Sequence, residues 1–276
     1  MTSMLSFPII EWHSWTSSTG RSTGILEITT TDKRIWSIPS LWGCPIGCTF
    51  CISSSQAYGG PISAMNLRAL LDYARAQSKG TQPVELSFTG EGEAVLNVDN
   101  VQALVEHVST WQEIKFARVC VSGLKMNRAH ELANFPWPTR LQCSLHSAVQ
   151  STRSKLVVKS LDLAALRVQL LELASRFVSV DLNVVLQHGV NDCDAHLSAL
   201  LTFVSNTPWR VVFNPHMQEG AAVAHHKRDV WINALQAEGT SAVGYHTIGS
   251  RIVEQSMYRK LTFVRSVVPL SADAHK

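Results

Sequence analysis

The stretch SLWGCPIGCTFCISSSQ, residues 40–56, holds three of the six cysteines of the chain. Cys44, Cys48 and Cys51 follow the spacing C-x3-C-x2-C, and no fourth potential ligand lies beside them. Disulfides are rare in reducing compartments, and we expect this chain to be cytoplasmic. A dense group of cysteines there indicates a metal site rather than a set of disulfides.

Three kinds of cysteine chemistry compete for this stretch. A structural zinc site needs four protein ligands, but the nearest histidine-rich segment, HMQEGAAVAHH (216–226), lies far along the chain. A redox-active C-x-x-C pair at 48–51 leaves Cys44 unexplained. A [4Fe–4S] cluster normally takes four thiolates. Three thiolates leave one iron open to an outside ligand, as in catalytic metal sites, so the cluster is the favoured interpretation.

Composition sets few limits on function. The chain has 276 residues, of which 45% are hydrophobic, and its formal net charge is +3. This charge is compatible with a nucleic-acid partner but does not require one. No apolar run reaches the ~18 residues of a membrane span, and the N-terminus lacks the features of a signal peptide. We therefore expect a cytoplasmic protein with no membrane partner.

Apolar strand-like runs alternate with amphipathic helical segments along most of the chain. This alternation predicts an α/β fold with a parallel sheet and helical crossovers. About six repeats are too few for a closed eight-fold barrel, so we expect a partial (β/α)6 barrel. We expect an N-terminal extension at 1–30, the barrel at 31–250 and a C-terminal segment over the active site at 251–276. The predicted strands are 83–90, 116–123, 140–146, 178–187, 209–215 and 241–246, and the predicted helices lie near 65–79, 99–112, 127–134, 160–176, 193–206 and 227–238.

Polar side chains follow the predicted strands at the points where the strands end. Function in parallel α/β sheets gathers at the carboxyl ends of the strands. These side chains therefore form a candidate site together with the cysteines: Glu91, Glu93, Ser122, Ser144, His146 and Asn214.

The cysteine spacing is the signature of the radical S-adenosylmethionine (radical SAM) enzymes. Four further segments occur in the order that is typical of one family. Together with the cysteines, they resemble the radical SAM adenosine C2/C8 methylases of ribosomal and transfer RNA, over about residues 25–258. The resemblance implies a [4Fe–4S] cluster, bound S-adenosylmethionine and an electron donor of the flavodoxin or ferredoxin type. The segments are LSFTGEGEAVLNVDNV (86–101), LQCSLHSAVQSTRSKLV (141–157), VVLQHGVNDCDAH (184–196) and RVVFNPHMQEG (210–220).

The resemblance also implies roles for individual residues. Cys44, Cys48 and Cys51 match the cluster ligands, and Phe50 matches an aromatic residue near the adenine. Glu27 roughly matches an acidic residue proposed as the catalytic base. The remaining matches are cofactor contacts: Gly92 and Glu93 at the methionine amino group, Ser122, Ser144, Leu145 and His146 at the ribose and methionine, and Asn214.

Two departures from the family concern its methyl-transfer relay. The family carries the methyl group on a cysteine near the C-terminus, and a second cysteine resolves the covalent RNA adduct. The matching positions here hold Ser256 and Ser37. A serine hydroxyl keeps its proton near neutral pH and is a poor nucleophile compared with a thiol. Of the scattered cysteines, Cys120 and Cys143 lie in apolar strand runs, and we expect both to be inert buried thiols.

Three functions remain open at this point. The favoured hypothesis is a radical SAM enzyme, with a transferase as the expected class, acting on a small molecule without a methyl-cysteine relay. The second hypothesis keeps RNA or a nucleoside as the substrate, methylated by a modified mechanism; only about 30 residues precede the matching region, where the family has an RNA-holding domain. The third is a catalytically inactive iron–sulfur or RNA-binding protein.

Overall fold

The computed structural model describes residues 9–218 and 221–244. Its main sheet has nine strands, flanked by two small two-stranded sheets. The strands are β1 (Ile9–Thr16), β2 (Ser22–Thr29), β3 (Arg34–Ser37), β4 (Leu41–Trp42), β5 (Gly60–Pro61), β6 (Val84–Phe88), β7 (Ile114–Val121), β8 (Thr139–Ser144), β9 (Ser179–Val185), β10 (Arg210–Asn214), β11 (His216–Gln218), β12 (Ala221–Val223) and β13 (Ser241–Gly244).

Helices fill the connections between the parallel strands. Two of them begin at side-chain caps, because Ser63 accepts a hydrogen bond from the Asn66 N–H and Asp162 accepts one from the Ala165 N–H. A 3-10 segment, Met126–Ala133, takes the place of an α-helix between β7 and β8. The α-helices are α1 (Ala64–Gln77), α2 (Val98–Val108), α3 (Gln150–Leu156), α4 (Leu163–Ala174), α5 (Asp194–Val204) and α6 (Arg228–Ala237).

The main sheet runs in the order β1-β2-β3-β6-β7-β8-β9-β10-β13. From β3 to β13 every neighbouring pair is parallel, whereas β1–β2 and β2–β3 are antiparallel. Within the described residues β1 and β13 each pair on one side only. The sheet is therefore open, and the predicted partial (β/α) barrel is confirmed as the fold class.

The six predicted strands correspond to β6, β7, β8, β9, β10 and β13, with ends that differ by a few residues. The predicted helices near 65–79, 99–112, 160–176, 193–206 and 227–238 are found as α-helices, and the one near 127–134 is the 3-10 segment. The sequence did not predict α3, which has no side-chain cap at Val149. It also did not predict that β1 and β2, from the expected extension, continue the main sheet.

The two faces of the parallel sheet differ in chemistry. One face packs against the helices and supplies the core, with Leu86, Val119, Leu141, Leu182 and Val211 all buried. The other face carries polar side chains at alternate positions, since successive residues of a strand point to opposite sides. Burial of polar groups is costly unless they are paired, so this polar face marks the functional interior of the partial barrel.

Ion pairs and amide hydrogen bonds satisfy the polar face below the strand ends. Arg118 lies 2.7 Å from a Glu85 carboxylate oxygen, and Arg210 lies 2.6 Å from an Asp181 carboxylate oxygen. Gln142 Nε2 donates to Asn183 Oδ1 at 2.6 Å. The carboxyl ends of the same strands bear the candidate site residues. None of the described helices is long and apolar enough to span a membrane.

Candidate active site

The cysteine loop follows β4 and turns back over the end of the sheet. Gly43 and Gly47 have φ values of +72° and +78°, which other residues seldom adopt. The loop closes on itself, because the Cys51 N–H donates to the Cys48 carbonyl oxygen at 3.1 Å. It is also tied to α3 by a hydrogen bond of 3.1 Å from the Thr49 N–H to the Leu156 carbonyl. All three cysteines remain half-buried.

One cavity brings the loop and the strand ends together. Together with the open space at its mouth, it spans about 620 Å³. The described predicted residues that are not part of its lining are Glu27, Ser37, Glu91, Leu145 and Asn214. The predicted residues that line it are Cys44, Cys48, Phe50, Cys51, Gly92, Glu93, Ser122, Ser144 and His146.

Glu93 is the buried carboxylate of this cavity. Its two oxygens accept hydrogen bonds from the Ser122 N–H at 3.0 and 3.2 Å. Burial raises the pKa of Glu93 to about 8, although the Ser122 hydrogen bonds act in the opposite direction. None of the ion pairs in the described part of the chain includes Glu93. A cationic or amino ligand would supply the partner that this carboxylate lacks.

Phe50 and His146 connect the cysteine loop to the end of β8. Their rings meet edge to face, with centroids 4.5 Å apart. His146 has a φ of +57°, an unusual conformation for a residue with a side chain. Hydrogen bonds hold it there, from the His146 N–H to the Asn183 carbonyl at 2.9 Å and from Asn191 Nδ2 to the His146 carbonyl at 2.7 Å. A strained backbone conformation that several hydrogen bonds hold in place is a feature of binding sites.

Comparisons with known proteins agree with this geometry. A probable dual-specificity RNA methyltransferase RlmN from Chlorobium phaeobacteroides is 30% identical over 178 residues, 60% of this chain and 49% of that protein. One with the same description from strain BS1 is 29% identical over 244 residues, 80% of this chain and 65% of that protein. The chain thus spans between about half and two thirds of these relatives' length. No family model matches it.

Solved structures agree on the architecture. The crystal structure of a radical SAM methyltransferase from Sphaerobacter thermophilus superposes with a TM-score of 0.71 at 21% identity, covering 87% of this chain and 74% of that one. The chain has the radical SAM fold. A queuine lyase from Clostridium spiroforme, bound to SAM and queuine, shares the fold more distantly, with a TM-score of 0.51 at 13% identity over 79% of this chain and 94% of that one. Within this fold the chain resembles the RlmN-type enzymes.

The cysteine site fits the cluster that the radical SAM fold implies better than it fits one zinc ion. Zn–S bonds of about 2.3 Å place tetrahedral sulfur ligands about 3.8 Å apart. The described residues contain two groups of three potential ligand atoms within 4.8 Å of one another, and neither group includes Cys44, Cys48 or Cys51. A cluster of several irons accommodates more widely separated thiolates.

The state of the thiols also argues against a redox pair. Burial raises the pKa of Cys44 to about 12 and raises the pKa of Cys48 as well. Reactive cysteine pairs have lowered pKa values. A bound metal would displace these protons and hold the sulfurs as thiolates.

The cofactor side of the cavity passes a similar test. Gly92 has a φ of +110°, and a Cβ there would lie 2.7 Å from the backbone nitrogen of Leu41. Only glycine fits this position, which presents bare backbone beside Glu93. Asn214 lies buried at the end of β10, and its amide oxygen and nitrogen have no hydrogen-bond partner in the described part of the chain. Such groups normally have partners, so a polar ligand is expected nearby.

The structure separates Glu27 from the cavity. Glu27 is fully buried on β2, and its carboxylate binds His13 Nε2 at 2.7 Å and accepts from Ser78 Oγ at 2.7 Å. Ser78 ends α1, near the amino-terminal edge of the parallel strands. The role expected for Glu27 as a catalytic base is corrected on this ground, because its carboxylate joins β1 and β2 to α1 instead.

The other expected residues occupy three different settings. Ser37 lies next to the cavity, since its Oγ is 3.0 Å from the hydroxyl of Thr89, which lines it. Leu145 is fully buried in the apolar core, so only its backbone is available at the site. Ser256 lies outside the described residues.

Several contributors to the site were not recognised in the sequence. Asn183 lines the cavity from β9, and Arg153 of α3 binds the strand ends beneath it. Cys120 also lines the cavity, whereas Cys143 lies fully buried on the helix-facing side. The expectation that Cys120 is a buried thiol is thus corrected, because Cys120 is only half-buried. The signal was available, because Cys120 and Ser122 are two residues apart on one strand and therefore share a face.

A second group of potential metal ligands lies beyond β9, formed by His188, Asp192 and His225. His225 Nδ1 accepts a hydrogen bond from the Lys227 N–H at 3.2 Å, which places the proton of the neutral ring on Nε2. Nε2 lies 3.3 Å from an Asp192 carboxylate oxygen. The nitrogen that faces Asp192 therefore carries a proton rather than a free lone pair, and the group forms a local polar contact.

Proposed function

We propose that this chain cleaves S-adenosylmethionine reductively in the cavity between the cysteine loop and the strand ends. The observation that carries the proposal is the shared lining of this cavity. The three cysteine thiols lie there beside the Gly92–Glu93 turn and Ser122. The resemblance to RlmN-type radical SAM enzymes supports the same conclusion.

Each part of the cavity has a distinct role in this proposal. Cys44, Cys48 and Cys51 would hold a [4Fe–4S] cluster. When bound, the cluster supplies the electron that divides S-adenosylmethionine into methionine and a 5′-deoxyadenosyl radical. Glu93 would accept a hydrogen bond from the methionine amino group, and Gly92 would let the ligand approach the backbone. Phe50 and His146, whose rings are in contact, would cover the adenosine and keep water from the reacting carbon.

For the substrate, we propose a small molecule rather than ribosomal RNA, acted on without a methyl-cysteine relay. The support is the pair of serines at the relay positions. Ser37 Oγ is 3.0 Å from Thr89 Oγ1, and a hydroxyl can neither carry a reactive thioether nor form a disulfide. The electron would come from a flavodoxin- or ferredoxin-type donor.

One observation favours RNA instead. The relatives that match most of this chain are described as dual-specificity RNA methyltransferases. In this second candidate function, the chain methylates an adenine of RNA by a route that does not use a cysteine at position 37.

Anaerobic reconstitution tests the cluster and the cleavage of S-adenosylmethionine, which both candidate functions require. We expect about four irons per chain, and production of 5′-deoxyadenosine once reductant and S-adenosylmethionine are added. Cys48→Ala should lose the iron, whereas Cys193→Ala, at an exposed cysteine outside the cavity, should retain it. A colourless wild-type protein that binds one zinc per chain contradicts the proposal.

The products distinguish the two substrates. Turnover with methyl-deuterated S-adenosylmethionine should yield 5′-deoxyadenosine and methionine without labelled RNA if the substrate is a small molecule. Labelled methyladenine in RNA, formed together with S-adenosylhomocysteine, supports the RNA candidate and overturns the first. Mass spectrometry of the RNA and small-molecule fractions from one reaction reads both outcomes.

A further inference from the structure

Arg153 is a fully buried arginine on α3, beneath the candidate active site. Its Nη1 donates to the carbonyl oxygens of Ser144, at 2.6 Å, and Leu145, and its Nη2 donates to the Ser122 carbonyl at 2.7 Å. These carbonyls end β7 and β8 where the strands enter the cavity. A single guanidinium therefore fixes the spacing of two strand ends that carry expected cofactor contacts.

The fold leaves room for this guanidinium. Gly123 follows Ser122 with a φ of +96°, and a Cβ there would lie 3.1 Å from Arg153 Nη2. Because any side chain at this position would press on the guanidinium, the glycine preserves the hydrogen bonds to the strand ends.

The charge of Arg153 is not neutralised by any carboxylate in the described part of the chain. Carbonyl oxygens satisfy its terminal nitrogens but carry no net charge, and Nε has no hydrogen-bond partner among the same residues. An isolated buried charge costs several kcal/mol, roughly, unless an anion accompanies it. By contrast, the buried Arg118 on the polar face has Glu85 at 2.7 Å. The described residues thus place a carboxylate beside Arg118 but none beside Arg153.

The helix that carries Arg153 packs against the cysteine loop. Cys44 and Cys48 lie against the apolar group that Ile46 forms with Leu156 and Val157, at the end of this helix. Ser122 and Ser144, whose carbonyls bind Arg153, line the same cavity as the three cysteines. The missing anion is therefore expected in this cavity, where metal-bound thiolates would carry negative charge.

We infer that Arg153 is the counter-charge of the iron–sulfur cluster and positions the strand ends that hold the cofactor. This inference rests on the proposed function. A cluster held by three thiolates is anionic, and each added electron makes it more so. A nearby fixed cation favours the reduced state. Arg153 acts through the cluster and is a positioning residue, since it donates no group to the reaction.

The test is the midpoint potential of the cluster, titrated with a low-potential reductant and read by electron paramagnetic resonance. Arg153→Gln should shift the reduction equilibrium at least ~10-fold against the reduced cluster, which is about 59 mV for a one-electron couple. Arg118→Gln is the matched control, because it removes a buried cation that already has a carboxylate partner. It should lower thermal stability and leave the potential unchanged.

Arg153→Lys separates charge from geometry and covers the case in which the glutamine variant fails to assemble. A lysine keeps the cation but cannot serve three carbonyls in the same fork. We expect a potential close to that of wild type, with S-adenosylmethionine binding weakened ~10-fold or more. A lysine variant whose potential falls as far as that of the glutamine variant overturns the inference, as does an unchanged potential in Arg153→Gln. Wild-type protein that assembles no cluster overturns the proposed function itself.

Discussion

Both carboxylate oxygens of Glu93 accept the N–H of Ser122, at 3.0 and 3.2 Å, so the turn after β6 is held directly to the end of β7. The two residues come from different repeats of the barrel. Their contact aligns two strand ends, and it orients a buried carboxylate toward the cavity. The burial of Glu93 lowers the stability of the ligand-free protein, because none of the described residues forms an ion pair with its carboxylate.

The stability of the ligand-free protein should therefore depend on Glu93 and pH. The pKa of Glu93 is about 8 in the fold, compared with 4.5 for the ordinary group. A carboxyl with a raised folded pKa binds its proton more tightly when folded, so the contribution of Glu93 to stability is fully present below about pH 4.5 and is lost as pH rises to 8. Glu93→Gln should lack this loss and be the more stable protein at pH 8 in urea unfolding. A wild-type protein as stable as the variant at pH 8 contradicts the buried, unpaired carboxylate.

Replacement of Gly92 should damage both the fold and the site. In Gly92→Ala the new methyl group would lie 2.7 Å from Leu41 backbone, at a φ of +110°. We expect a loss of about 1–3 kcal/mol in the free energy of unfolding and much weaker S-adenosylmethionine binding, measured by calorimetry. Gly20→Ala is the control, because Gly20 has a φ of +80° but no atom of the described residues lies within 4 Å of the added Cβ. If the two variants bind the ligand equally well, the close approach at Gly92 is not part of the site.

Glu27 should matter for stability and not for the cluster. Burial raises its pKa, but hydrogen bonds from His13 and Ser78 outweigh burial and hold the pKa below the ordinary 4.5. This stabilisation is present above that value and is lost as pH falls. Glu27→Gln should lower the free energy of unfolding by about 2 kcal/mol at pH 7. The variant should lose less stability than wild type when the pH is lowered, and its iron content should be unchanged. Glu113→Gln, at a partly exposed carboxylate that pairs with Arg75, should cost less than about 1 kcal/mol. A loss of iron in Glu27→Gln alone would restore Glu27 to the active site.

The two strand cysteines should differ in reactivity toward alkylating reagents. Cys120 is half-buried and lines the cavity, with its sulfur 3.6 Å from the Ser144 hydroxyl, whereas Cys143 is fully buried. In cluster-loaded protein, peptide mapping should show slow alkylation of Cys120 that S-adenosylmethionine suppresses, and none of Cys143. The exposed Cys193 should react fastest and independently of the ligand. Equal protection of Cys120 with and without ligand would place the bound molecule elsewhere.

Much of this architecture could be predicted because each strand and helix has its own local signal. Runs such as VELSF in β6 are buried throughout, and α1 repeats its buried leucines at helical spacing. The position of the site followed from the topology, since parallel strands bring their carboxyl ends to one edge. Ser122, Ser144 and His146 could therefore be grouped without a structure.

What escaped prediction depends on contacts between distant segments. Arg153 lies on a short helix with no cap, and its role depends on three carbonyls from two other strands. The alignment of Glu27 could not show that β2 turns its carboxylate toward α1 and away from the cavity. Such features depend on which side of the sheet each residue faces, and a register error of one residue reverses that choice.

The position of β2 between β1 and β3 affects how the chain can be shortened for experiments. Removal of residues 9–29 would uncover the β3 edge and would remove both His13 and the Glu27 carboxylate to which Ser78 donates. A version starting after residue 30 would keep all three cysteines yet present an unprotected strand to other molecules, and aggregation is the expected result. Versions for crystallisation should therefore begin before Ile9.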